Sequence, residues 1–421
     1  MGIGAGPQLL AFAAANEIVP KRSRGNALAF LSLAALPGSA FGSVIAYAII
    51  SHLSWRWTFY IGILSNGWAL LLVILFYWPP NFFGLHTEGK TRWQQLKQLD
   101  FIGLLLFGGG LTSFILGVSF ANNPFPWLSV PVLVPLILGA VTAFIALPIW
   151  EIFGSDNISK LCPPSIFKNV RGFVMPLMAN FVSGMLLISL QVWWPQEVQL
   201  LFTTSLSKVG WYSFAYNGPA SIGAFVGGAL FAKIGKTKWQ FVAITVLQTV
   251  LVAAMSTINQ HRPQDAIGIM TAAAFCLGAA QIITVLVIQF GAADTHIGIA
   301  TGRTGSSRAT GGAVAFAIYG SIFSSKVSTN MTPAVTKAVI EAGLKDSSVP
   351  SFIESLMSGS VGAMSSVKDV TPAIIATGED ALRSVYADAF RLIYLVSIVF
   401  GGNAQPESAC LLCKFAPSEC R

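Results

Sequence analysis

Residues 59–78 read FYIGILSNGWALLLVILFYW, twenty residues without one Asp, Glu, Lys, Arg or His. At helical rise such a run is about 30 Å long, the thickness of a bilayer's hydrocarbon core. Working outward, comparable runs lie near 2–19, 26–50, 100–121, 129–151, 172–193, 211–232, 239–258, 266–290, 309–326 and 386–402. In lipid no water satisfies a free backbone N–H or C=O, so spanning segments are helices or closed barrels. These Gly- and Leu-rich runs lack the period-2 alternation of barrel strands. The expectation is an all-α, polytopic transmembrane helical bundle of eleven spans.

Composition points the same way. Charged residues make up 10% of the 421, hydrophobic residues 54%, and mean hydropathy is +0.68. A soluble domain carries about 25% charged residues and could not hide this much apolar surface, so the surrounding partner is a lipid bilayer. The net charge of +8 does not indicate nucleic acid, because the basic residues sit in short connectors rather than along one face. Connectors holding Lys21, Arg22 and Arg24; Lys90, Arg92 and Lys97; Lys160, Lys168 and Arg171; Lys233, Lys236 and Lys238; and Arg303 and Arg308 carry fourteen basic residues. The alternating connectors carry three: Arg56, Lys208 and Arg262. The positive-inside rule places the rich set in the cytosol, with Met1 outside and the C-terminus inside.

Several local motifs carry a family resemblance. Ser54-Trp55-Arg56-Trp57-Thr58-Phe59-Tyr60-Ile61, Phe76-Tyr77-Trp78-Pro79-Pro80, Gly89-Lys90-Thr91-Arg92 before Leu99-Asp100-Phe101-Ile102-Gly103, and Trp194-Pro195-Gln196-Glu197-Val198 before Leu201-Phe202 stand in order along residues 2–400. The chain resembles the 14-helix drug:proton antiporter branch of the major facilitator superfamily, and most of all its fungal trichothecene efflux pumps. The resemblance implies two six-helix halves with two helices between them. Residues 1–78 then supply the last three helices of the first half, 79–171 the inserted pair with its loops, and 172–402 the second half. The outer loop covers 327–385, and 403–421 form an atypical polar tail. Met1 runs directly into Gly2-Ile3-Gly4-Ala5-Gly6-Pro7, which reads as the middle of a packing helix. On this reading about 11 of 14 helices are present.

The same resemblance implies roles for particular residues. Gly228, Lys233, Gly235 and Lys236 fall in the frame of the family's G-x-x-x-D-R-x-G-R-R loop, with Ala232 in place of the acid. The bland alternative is a merely basic turn. Pro37 with Gly38 and Gly42 partly matches the antiporter Gly-Pro pattern, although Leu36 and Phe41 stand where glycine is usual; ordinary close helix packing is the alternative. Intramembrane polar residues mark a substrate pathway because lipid makes them costly. Asn180, Gln191, Asn217, Gln281 and Gln289 are the candidates, all neutral, with Gln248 beside them. Neutral amides near Phe181, Trp193 and Trp194 suit a bulky, mostly apolar ligand with a few hydrogen-bonding oxygens. Amides that only bond neighbouring helices are the alternative.

For proton coupling, Glu17 is the best-placed acid, with Glu151 at another inner end and Asp388 and Arg391 at helical spacing for mutual neutralisation. Enzyme chemistry finds no support. Gly235-Lys236-Thr237 lacks the first glycine of a phosphate loop, where Leu230 stands, and His52, His86, His261 and His296 form no metal-spaced pair. No cofactor is expected, and Cys410, Cys413 and Cys420 lack a fourth ligand. Asn330-Met331-Thr332 in the outer loop fits a glycan acceptor. The expected function is proton-driven efflux of a small toxic or secondary metabolite by alternating access at the plasma or vacuolar membrane. The alternatives are a truncated, non-transporting membrane fragment and uptake of a siderophore or other small molecule on the same fold.

Overall fold

The computed structural model describes residues 11–16, 18–20, 23–78, 92–121, 125–154, 160–161, 169–291, 297–357 and 370–411. After a helical stretch at 11–16, the principal helices are α1 (Arg24–His52), α2 (Arg56–Phe76), α3 (Phe101–Phe120) and α4 (Val130–Phe153). Then come α5 (Met175–Glu197), α6 (Leu206–Ile234), α7 (Thr237–Ala254), α8 (Pro263–Gly291), α9 (Ile297–Glu341), α10 (Val349–Met357) and α11 (Pro372–Leu411). Among the described residues there is no strand; one isolated bridge joins Ala121 and Phe125. Among the described residues eight helices are long and apolar enough to cross a membrane, and each overlaps an expected span.

Local chemistry sets several helix ends. The Asp100 carboxylate caps α3 by accepting from Gly103 N–H at 2.7 Å, and it accepts from Trp150 Nε1 of α4 at 2.9 Å. One side chain thereby satisfies an orphan amide and fixes the pairing of the two helices. Asn169 does the same before α5, accepting from Gly172 N–H at 3.0 Å and donating to Gly291 O at the end of α8, also at 3.0 Å. Gly235 ends α6 in the left-handed region, φ 67°, which a side chain would resist.

The bundle is organised around α5, α8, α9 and α11, with α7 against α8 and α11, and α6 against α8. A core of Trp193, Trp194, Tyr319, Phe390 and Tyr394 lies among them. Lipid tails are as apolar as these side chains, so close packing rather than burial from water holds such helices together. α3 and α4 pair with one another, and α3 docks on α9, where Arg303 lies over the Phe107 ring at 5.8 Å. α1 lies along α6, while α2 has no buried residue.

Three expectations are corrected. The tenth span does not stop at 326: α9 continues as a 45-residue helix to Glu341, because Val335 and Val339 turn inward and pack with Leu344, Val349, Phe352, Leu356 and Ile374. Much of the expected outer loop is therefore folded onto its own apolar cluster, and Asn330 is a half-buried helical residue. The last helix starts at Pro372 rather than near 386 and runs through 403–411, where a polar tail was expected. On it Glu379 and Arg383 form the ion pair, at 3.7 Å, whereas Asp388 and Arg391 are both exposed.

Candidate functional site

The first element of the site is the seam between α1 and α6, which run antiparallel. At the end nearest the basic connectors, a Cβ on Gly25 would lie 2.7 Å from Gly228 O, and one on Gly228 would lie 2.9 Å from Gly25 O. Two glycines thus let the backbones touch. Further along, Ser39 and Ser221 hydroxyls meet at 2.8 Å, Asn217 Nδ2 donates to Ser43 Oγ at 3.3 Å, and the Phe41 and Phe214 rings lie 5.2 Å apart. At the far end Gly210 approaches Tyr47. A seam of small residues and short hydroxyl links leaves little to break when helices shift.

A second element lies at the end of the bundle that carries the basic connectors. Asn16 Nδ2 donates to Gln289 Oε1 at 2.7 Å, Gln289 Nε2 donates to Thr301 Oγ1 at 2.8 Å, and all three residues are buried. Arg24 Nε donates to Asn16 O at 3.2 Å. This chain ties the helical stretch before α1 to α8 and α9.

The third element is Arg308. The sequence reading sets it in a basic connector, yet it lies inside α9, with its backbone against Gly184 of α5. Its Nη2 donates to Asn180 Oδ1 at 2.9 Å and to Gln281 O at 3.2 Å, while Asn180 Nδ2 donates to Thr304 O at 2.8 Å. Its Nε is buried without an acceptor among the described residues. Two turns on, the Trp193 ring is surrounded by Phe316, Phe323 and Phe390 at 5.3 to 6.1 Å between centroids. Trp193 Nε1 and Tyr319 OH there are buried donors without partners among the described residues. Beyond the aromatics, the Tyr394 hydroxyl of α11 donates to the Glu197 carboxylate of α5.

The expected residues thus separate. The Asn180 side chain and the Gln281 backbone carbonyl, though not the Gln281 amide group, meet at Arg308; Gln289 belongs to the Asn16 chain, and Asn217 belongs to the α1–α6 seam. Gln191 is exposed on α5. Gly228 and Gly235 have structural explanations as contact and helix stop, while Lys233 and Lys236 are exposed. Pro37 is exposed, and Gly38 and Gly42 have nothing within 4 Å, so α1 packs closely at Gly25 and not at the Gly-Pro pattern. Glu17 lies outside the described residues. Beside the neutral amides the bundle holds two ionisable side chains, Arg308 and Glu197, that were not among the expected site residues. Both were legible as members of helical stripes: Thr301, Thr304, Arg308, Gly311 and Ala315 on α9, and Leu186, Leu190, Trp193, Glu197 and Leu201 around α5.

Comparison with known proteins agrees with this architecture. The family model of the fungal trichothecene efflux pump (TRI12) matches residues 1–414. The trichothecene efflux pump TRI12 of Fusarium sporotrichioides is 27% identical over 415 residues, covering 98% of this chain and 69% of the relative. Its counterpart in Trichoderma arundinaceum is 29% identical over 68% of this chain and 48% of its own length. Vacuolar basic amino acid transporter 3 of Saccharomyces cerevisiae is 28% identical over 66% of this chain and 67% of its own. With the family model spanning nearly the whole sequence and an all-helical membrane bundle beneath it, the chain belongs to the fungal trichothecene efflux pump family of major facilitator membrane transporters.

Proposed function

We propose that this transporter exports a small, mostly apolar, oxygen-bearing metabolite of the trichothecene type from the cytosol in exchange for protons. The observation that carries the substrate reading is the Arg308 node: a guanidinium with an unpartnered Nε, held by Asn180 and Gln281, on the same seam as an aromatic cluster with two unpartnered donors. Donors without acceptors in an apolar setting suit a ligand that brings oxygens and no charge. The basic-residue asymmetry supports an orientation with Lys233 and Lys236 in the cytosol and the half-buried Asn330, a candidate glycan acceptor, on the outer side. The plasma membrane is the proposed location, since export across it removes a toxin from the cell; the vacuolar relative keeps the vacuolar membrane as the second reading.

The test is resistance of a pump-deficient yeast to a trichothecene. Expression of the wild type should raise resistance, and a protonophore should abolish the gain. Arg308→Gln keeps a donor for Asn180 but removes the charge and Nε; it should lose at least tenfold in transport at equal membrane abundance. Unchanged resistance in that variant overturns the substrate assignment.

A further inference from the structure

Among the described acids Asp100, Glu151 and Glu197 are buried; Asp100 caps α3 and Glu151 lies near the end of α4, whereas Glu197 lies in the core between α5 and α11. Its residue is 2% exposed, as is Tyr394, and the two meet between α5 and α11 in the core of Trp194, Val198, Leu201 and Ile393. Among the described residues its carboxylate is in no ion pair. A buried carboxylate without a cation is expensive, and one phenol hydrogen bond offsets only part of that cost. The inexpensive state carries a proton.

The other titratable and charged groups on the packed elements do not compensate. On α6 the Tyr216 hydroxyl donates to Leu187 O and Lys208 is exposed. On α9 the Tyr319 hydroxyl is buried with no partner among the described residues, and Arg308 is held at Asn180, about 25 Å along α5 from Glu197. At the start of α8, Asp265 pairs with Arg262 at the exposed surface. On α11, Tyr386 stacks on Phe323, Glu379 pairs with Arg383, Asp380 accepts from Gln260, and Asp388 and Arg391 are exposed on the helix surface.

Resting on the antiport reading above, we propose that Glu197 carries the coupled proton and that Tyr394 positions it. In the state open to the outside, the carboxylate takes a proton from hydronium as the metabolite leaves: one carboxyl O–H bond forms as one hydronium O–H bond breaks, leaving water. In the state open to the cytosol, it returns that proton to water. Protonation removes the charge before α5 and α11 close over it, so reorientation without metabolite needs the acid form.

The test uses the full chain, purified and placed in lipid nanodiscs, with infrared titration of its carboxyl groups and no transported ligand. The wild type should show a protonated-carboxyl C=O band that disappears on raising pH, and Glu197→Gln should lack it. Tyr394→Phe, which keeps the ring and removes the donor, should shift the frequency of the band and the pH at which it disappears. A spectrum identical in wild type and Glu197→Gln overturns the assignment. In proteoliposomes loaded with a tritiated trichothecene, Glu197→Gln should lose at least tenfold in pH-gradient-driven flux while keeping exchange of labelled for unlabelled toxin. Wild-type flux indifferent to the gradient overturns the antiport reading itself, whereas gradient-driven flux preserved in Glu197→Gln overturns only the role of Glu197.

Discussion

α2 and α8 are close to equal in mean hydropathy, yet they are opposites in the folded chain. None of the 21 residues of α2 is buried, while seventeen of the 29 in α8 are. Apolar character therefore reports that a segment belongs in the membrane, and says little about whether lipid or protein surrounds it. The difference lies in side-chain size. α8 carries Ala273, Ala274, Gly278, Ala279 and Ala280, which let α6 approach until a Cβ on Gly278 would sit 1.8 Å from Ala220 O. α2 presents Phe59, Tyr60, Trp68, Leu70 and Phe76 outward, with nothing near Gly62 or Gly67.

The largest test of this contrast is Gly278→Val against Gly67→Val. The first forces two backbones apart and should cost about 3 kcal/mol, with most of the protein lost from the monodisperse peak on fluorescence-detected size exclusion. The second should leave that peak unchanged. Equal losses would break the comparison.

α1 lies between the two extremes, packed along one line only. Gly228→Val strikes that line where the backbones touch and should cost about 1–2 kcal/mol, lowering the thermal midpoint and slowing transport more than it lowers abundance. Gly42→Val on the open face of the same helix should do neither. If both variants behave alike, the glycine contact is incidental to the seam.

The smallest expected effect is at Gln191, exposed on a helix whose other face is buried. Gln191→Leu should change stability by less than about 0.5 kcal/mol. A change in the range of toxins exported, at constant abundance, would return it to the pathway; no change on either readout assigns it to the lipid-facing surface.

Much of the membrane topology was legible before any tertiary contact. Length and apolarity located the helices because the bilayer demands about 20 apolar residues per crossing. α9 shows where that signal fails: Thr301-Gly302-Arg303-Thr304-Gly305-Ser306-Ser307-Arg308 reads as a polar connector, yet it is helical. Thr301 and Thr304 return their hydroxyls to the Ile297 and Ala300 carbonyls, and Gly311 and Gly312 admit Phe181 and Ile188. A polar helix is stable in that position because protein, not lipid, faces it.

The sequence by itself determined that this is an all-helical membrane protein, where most of its apolar segments lie, and which family's motifs it carries, since those properties follow from local length, apolarity and residue order. Only the tertiary structure decided which polar residues matter together. Asn180, Gln281 and Arg308 are separated along the chain and meet because α5, α8 and α9 pack; Glu197 and Tyr394 meet because α11 closes on α5. Desolvation depends on every neighbouring helix at once, so no local pattern could assign a buried charge to its partner.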